Sequence, residues 1–226
     1  QLAKVTAADG AAGDEFGESV AISGDTIVIG AAAKDATNFG AHGAAYVYRT
    51  SDGGATYGQV ARLTASDAAA DDDFGYSVAI DGDTVVVGAR YAGIGGAAYV
   101  LRTTDGGATY IEVAKLTAAD AASGDEFGMS VAIDGGTIVV GARWDDDAGS
   151  QSGSVYVFLT TDGGATYGQV AKLTASDAAV GDRFGVPVAI DGSTIVVGAL
   201  CDDDGGTDSG SVYVFLTTDG GATYVQ

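Results

Sequence analysis

The 226 residues hold one histidine, one cysteine, one methionine, one proline and one tryptophan. A lone Cys201 excludes an internal disulfide and leaves the redox compartment open. No basic neighbour in sequence lowers its thiol pKa. His42 stands alone with no Ser or Cys partner by spacing, so it reads as a turn residue, and nucleophilic or acid–base catalysis has little material. No glycine-rich segment leads from a strand into a helix, as a phosphate loop requires. No apolar run reaches the length of a membrane span, and the N-terminus carries no signal-peptide pattern. Basic residues are scarce too: 10 Lys and Arg stand against 31 Asp and Glu, a net charge of −21. Such a surface repels nucleic-acid phosphates and anionic membranes, so neither is an expected partner. It suits a saline extracellular setting, or a surface that collects cations.

What is abundant is repetition. "FGESVAISGDTIVIGA" returns as "FGYSVAIDGDTVVVGA", "FGMSVAIDGGTIVVGA" and "FGVPVAIDGSTIVVGA", with Phe-Gly at Phe16, Phe74, Phe127 and Phe184. Each period predicts four short strands. Strand A is "SVAI", and the Ser-Gly or Asp-Gly after it signals a hairpin. Strand B ("TIVVGA") is apolar almost throughout, the mark of burial on both faces. Strand C ("AAYVYRT", "SVYVFLT") alternates large and small residues, and "TDGGATY" turns the chain into strand D ("GQVAKLTA"). Helix signals are nearly absent. Repeated four-stranded antiparallel units predict an all-β, four-bladed β-propeller over a sandwich or solenoid. One domain spans 1–226, with blades at about 16–65, 74–118, 127–175 and 184–226. The chain opens in strand-D sequence ("QLAKVTA") and closes as a strand D begins. Residues 1–7 are therefore expected to pair with strand C of the last blade, near Val212–Leu216, and close the ring. A segment of a longer array would start and stop in the same register.

Phe-Gly, an alternating strand, a turn and Val-Gly-Ala together resemble the FG-GAP repeat of integrin α-subunit propellers, chiefly its microbial and algal branch. The resemblance covers the whole chain and implies an extracellular or cell-surface adhesion or binding module. Two features depart from it. The residue after Gly-Ala is Ala32, Arg90, Arg143 or Leu200, never Pro. The A–B connection is too tight for the family's calcium loops, so those sites do not carry over. "TSDGGATY" and "TTDGGATY" also resemble the Asp-box, with Thr50, Asp52, Gly54 and Thr56, and then Thr103, Asp105, Gly107 and Thr109, on its pattern. That box is a folding element whose Asp satisfies backbone groups of its own turn. A glycan hydrolase would display a cluster of Arg, Glu and Tyr at the central pore, and "SVAI" offers none.

The copies disagree in length only between strands B and C, and per-repeat insertions collect on one face, where binding is sought. Arg90, Tyr91, Arg143 and Trp144 stand just past Gly-Ala in the two middle repeats, and these residue types dominate interface energy. They are the candidate contacts for a protein or glycan partner; drift at loop starts is the plain alternative. Asp145, Asp147, Asp202, Asp204 and Asp208 in the last two B–C loops are candidate calcium ligands, or else solvated turns. Asp14, Asp72, Asp125 and Asp182, two before each Phe, are expected to cap the crossover turns. The expected role is non-enzymatic binding. An architectural segment of a larger assembly, or a consensus propeller without ligand, is the alternative.

Overall fold

The structure, a computed structural model, describes residues 2–35 and 41–226. Among the described residues fifteen strands form, in four antiparallel sheets that follow chain order. The first blade holds β1 (Val20–Ser23), β2 (Thr26–Ala31), β3 (Ala44–Arg49) and β4 (Gly58–Leu63). The second holds β5 (Ser77–Asp81), β6 (Thr84–Ala89), β7 (Ala97–Arg102) and β8 (Ile111–Leu116). The third holds β9 (Phe127–Asp134), β10 (Thr137–Ala142), β11 (Ser154–Leu159) and β12 (Gly168–Leu173). The fourth has β13 (Phe184–Asp191), β14 (Thr194–Ala199) and β15 (Ser211–Leu216). This is the expected four-bladed propeller arrangement, with strands A to D where the repeat placed them in the first three blades and A to C in the fourth.

The A–B hairpins turn one residue later than expected. Ser23 pairs with Thr26 and Asp81 with Thr84, so the two turn residues are Gly24-Asp25 and Gly82-Asp83. Only the glycine has positive φ, as a type II′ turn asks. The preceding Asp is thereby free for its neighbour. The carboxylate of Asp81 accepts the Gly135 N–H of the next blade at 2.7 Å, and Asp134 accepts that of Gly192 at 2.6 Å.

The Phe-Gly pairs at Phe74, Phe127 and Phe184 are the joints between blades. Phe74 and Phe127 bridge to Gly43 and Gly96 of the blade before, and the Phe184 N–H donates to the Ser152 carbonyl at 2.9 Å. A Cβ on Gly30 would lie 1.9 Å from the Gly75 carbonyl oxygen, so strand B must carry glycine where the next blade lands. That carbonyl accepts the Ser19 hydroxyl at 2.8 Å, and Ser77 and Ser130 repeat the bond to Gly128 and Gly185. Around these joints, three apolar clusters fill the seams, each drawing on two adjacent blades. Burying a Phe, Val or Ile there contributes about 1.5–3 kcal/mol per side chain.

The ends do not meet as expected. Residues 2–7 form no strand, and the last sheet has three. Leu216 exchanges backbone hydrogen bonds with Val225 of its own chain, at 2.8 and 2.9 Å. The short turn before Val225 delivers that partner locally and occupies the edge. The N-terminal segment lies instead on blade 1, where Val5 and Ala7 pack against the cluster around Tyr46 and Tyr48. Tyr48 donates to the Thr6 carbonyl at 3.0 Å, Tyr46 to the Asp9 carboxylate at 2.8 Å, and Lys34 to the Asp9 carbonyl at 2.9 Å. Leu63, Ala65 and Asp67 make the same kind of grip on blade 2. Residues 2–9 thus behave as a crossover entering blade 1. Innermost strands pack in series, β1 on β5, β5 on β9 and β9 on β13, and no comparable packing joins β13 to β1 among the described residues.

Candidate functional site

The B–C loops and the D-to-A crossovers share one side of the blades. The N–H groups of Tyr91, Trp144 and Cys201 donate to the carbonyls of Asp72, Asp125 and Asp182 at 3.2–3.4 Å. The same three aspartates, with Asp14, fold their crossovers: their carboxylates accept the N–H groups of Ala69, Ala122, Ala179 and Ala11 at 2.6–2.7 Å. They cap turns, as their position before Phe suggested.

On this side the four candidate contact residues form two stacked units. The Arg90 guanidinium lies 3.8 Å from the Tyr76 ring centre and 4.6 Å from that of Tyr91. Its Nε donates to Asp73 Oδ2 at 2.9 Å. In the next blade Arg143 lies 5.0 Å from the Trp144 ring and pairs with Glu126 at 2.9 Å, an ion pair off the hydrogen-bond direction. Glu126 is almost fully buried. Burial pushes the Tyr91 phenol up, with Arg90 opposing and Glu126 reinforcing. Burial also raises the Asp73 carboxyl against the pull of Arg90. The arginine charges are thus balanced from within. What remains outward is aromatic surface: Tyr91 is 48% exposed and Trp144 half-buried.

The residues that hold these arginines were not singled out from sequence. Asp73 and Glu126 stand just before Phe, in left-handed backbone at φ 57°. Part of the signal was present in the columns: an acid precedes Phe in both blades where Arg follows Gly-Ala, although Glu15 also precedes Phe16 in blade 1, where Ala32 follows Gly-Ala. Blade 4 breaks both, with Arg183 and Leu200. Arg183 also faces Cys201, yet burial and then Asp208 push that thiol up, away from nucleophilic character.

The five candidate metal ligands divide between two blades. Asp145 and Asp147 gather with Asp120, their carboxylate oxygens within 4.8 Å of one another. Lys172 Nζ sits among them, 2.8 Å from Asp120, 3.0 Å from Asp145 and 2.5 Å from Asp147. Burial works against ionising Asp145, but bonds from Tyr156, Ser154 and Lys172 prevail and hold its carboxyl below the usual range. Calcium needs six to eight oxygens. Three carboxylates centred on an ammonium do not fit it. In blade 4 the buried Asp202 accepts from Ser211 and Tyr213 at 2.8 Å and from the Asp204 N–H at 3.1 Å. Asp208 donates its N–H to Asp203 at 2.7 Å.

The opposite side carries the four Thr-Asp-Gly turns, which close on themselves. Thr50 Oγ1 donates to Asp52 and accepts the Gly54 N–H, while Asp52 accepts both the N–H and hydroxyl of Thr56, at 2.6–2.9 Å. Blades 2 to 4 repeat the pattern.

Serial four-stranded blades, Phe-Gly joints and a loop face that alone varies define a repeat protein of the β-propeller class. Within it, the chain belongs to the FG-GAP repeat family, which matches residues 1–48, 57–101, 110–158 and 167–215. Each matched stretch opens in strand-D sequence and ends on strand C, so residues 1–7 enter as the lead-in to blade 1. Among solved structures, the chain is similar to Saccharomyces cerevisiae Sqt1, at 9% identity and a TM-score of 0.54. The likeness covers 92% of this chain and 47% of that one, so the chain spans about half its length. No curated protein sequence matches significantly.

Proposed function

We propose that the chain is a non-enzymatic binding module of the extracellular space or cell surface, taking a protein partner across the loop face of blades 2 and 3. One observation carries this reading: Tyr91 and Trp144 are large aromatic rings held against internally neutralised arginines on a rigid rim. Rings fixed in this way lose little entropy on contact, which is what an interface anchor needs. The net charge of −21 favours a partner with basic groups around that contact. The family's setting supports the extracellular assignment.

The immobilised protein would be probed with an array of basic peptides and an array of glycans. Trp144→Ala is expected to weaken binding of the peptide hits by about 2 kcal/mol, roughly thirty-fold, with the melting temperature unchanged. Hits that ignore both Trp144→Ala and Tyr91→Ala would move the surface elsewhere. Hits confined to glycans would keep the surface and change the partner.

A further inference from the structure

Strand C of the first three blades ends in Arg49, Arg102 and Leu159, and opposite them on strand D stand Gly58, Ile111 and Gly168. Both arginines lie over the glycine pair of the next blade's Thr-Asp-Gly turn. A Cβ on Gly107 would lie 3.0 Å from Arg49 Nη1, and one on Gly164 2.7 Å from Arg102 Nη1. From there the two differ. Arg102 Nη1 donates to the Gly163 carbonyl at 2.5 Å, and Ile111 stands beside it in the ladder. Arg49 donates to nothing among the described residues, and its Nε is buried without a partner. Gly58 leaves the space beside it open. The result is a slot of about 450 Å³ between blades 1 and 2, lined by Arg49, Ser51, Gln59, Val60 and the turn glycines of blade 2.

We propose that this slot binds a carboxylate, free or carried on a sugar, with Arg49 as the group that grips it. The planar guanidinium presents paired N–H donors that match the two oxygens of a carboxylate. Side-chain acceptors around it are already spent. Thr50 Oγ1 accepts the Gly54 N–H, and Asp52 is held by Thr50 and Thr56. Gln59 Oε1 accepts from the Ala8 N–H and the Tyr48 hydroxyl, which leaves the Gln59 amide nitrogen as a donor. Donors without acceptors call for a ligand that brings acceptors.

The volume falls in the range of small-molecule sites. A net charge of −21 repels a multiply charged anion more than a singly charged one, which favours a carboxylate over a phosphate. The other two seams lack the combination: in the second the arginine is engaged and Ile111 replaces Gly58, and in the third Leu159 replaces the arginine. This inference concerns the side opposite the aromatic rim and is independent of it.

The test is a titration of the chain with sodium acetate, sodium glucuronate and glucose at fixed ionic strength, followed by the amide resonances of Gly58, Gly106 and Gly107. Saturable shifts with the acids in the millimolar range, and none with glucose, are expected. Equal affinity for the two acids would make a free carboxylate sufficient, and tighter binding of glucuronate would add the sugar ring to the ligand; either supports the site. Arg49→Met should weaken binding at least tenfold, whereas Arg102→Met should leave it unchanged. Gly58→Ile keeps Arg49 and copies blade 2; a Cβ there meets nothing within 4 Å, so the fold is retained, and binding should again fall at least tenfold. No shift with either acid, equal shifts with glucose, or binding that survives Arg49→Met or Gly58→Ile overturns the proposal.

Discussion

Val20 and Val78 occupy the same place in the same phrase, "FGESVAI" and "FGYSVAI", yet one is 70% exposed and the other 8%. Both are the first apolar residue of an innermost strand, and both pair with strand B of their own blade. The difference is wholly the neighbour: blade 1 covers Val78, and nothing among the described residues covers Val20. Local sequence makes the strand and sets which residues face sideways. Whether that face is core or surface is decided by another copy.

The sharpest way to break the comparison is to put the same charge at both places. Val78→Asp buries a carboxylate in a seam with no cation to meet it and should cost about 3–5 kcal/mol. Val20→Asp should stay within about 0.5 kcal/mol in dilute solution. Urea unfolding of the two variants measures both. Equal losses would mean that the edge of β1 is covered in solution even when the chain is dilute.

The fold was legible because each blade is written in local signals. Alternation, glycine turns and the Thr-Asp-Gly box placed every strand that forms among the described residues. Closure was not legible, because "QLAKVTA" carries both a strand-D pattern and a crossover. Its Asp9 and Val5 grip blade 1 through contacts that no strand pattern encodes. The site divides in the same way. Arg90 and Trp144 stood out as large residues in variable columns, and their acidic partners could have been found by comparing columns. The Lys172 cluster could not. Asp120 comes from a crossover, Asp145 and Asp147 from a loop, and Lys172 from β12, so only packing brings them together.

That cluster allows a second test of neighbours, this time between blades 3 and 4. In blade 4 the corresponding Asp177, Asp202 and Asp204 have no such lysine among the described residues, and Asp202 followed by Asp177 pushes the Asp204 carboxyl up. Lys172→Met keeps the stem but removes the charge from among three carboxylates, one of them buried. A loss of about 2 kcal/mol is expected. Millimolar calcium should then raise the melting temperature of the variant more than that of the parent, since a cation binding only the folded state stabilises it. A parent chain that gains as much from calcium would show that its aspartates bind the ion with Lys172 in place.

The smallest effect is expected where neighbours matter least. In each Thr-Asp-Gly turn, the bonds that satisfy the Asp come from its own turn. Asp105 accepts Thr103 Oγ1 at 2.8 Å, the Thr109 N–H at 2.9 Å and the Thr109 hydroxyl at 2.6 Å. The Thr109 hydroxyl and N–H, then Thr103, hold its carboxyl well below the ordinary range, and the same holds for Asp52 with Thr56 and Thr50. A lowered folded pKa stabilises the fold above the unfolded value of about 3.9, and that contribution fades as pH falls toward the folded value. Asparagine offers one acceptor and no charge, so Asp105→Asn should lower stability at pH 7 by less than Val78→Asp or Lys172→Met. The gap from the parent should narrow as pH falls below about 4. Relief of repulsion among the other acids acts on parent and variant alike and drops out of the difference. Asp52→Asn should match Asp105→Asn at every pH, although blade 2 packs on a preceding blade and blade 1 packs on none among the described residues. Unequal losses would show that even these turns depend on the blade beside them, and a gap that ignores pH would assign their strength to shape rather than charge.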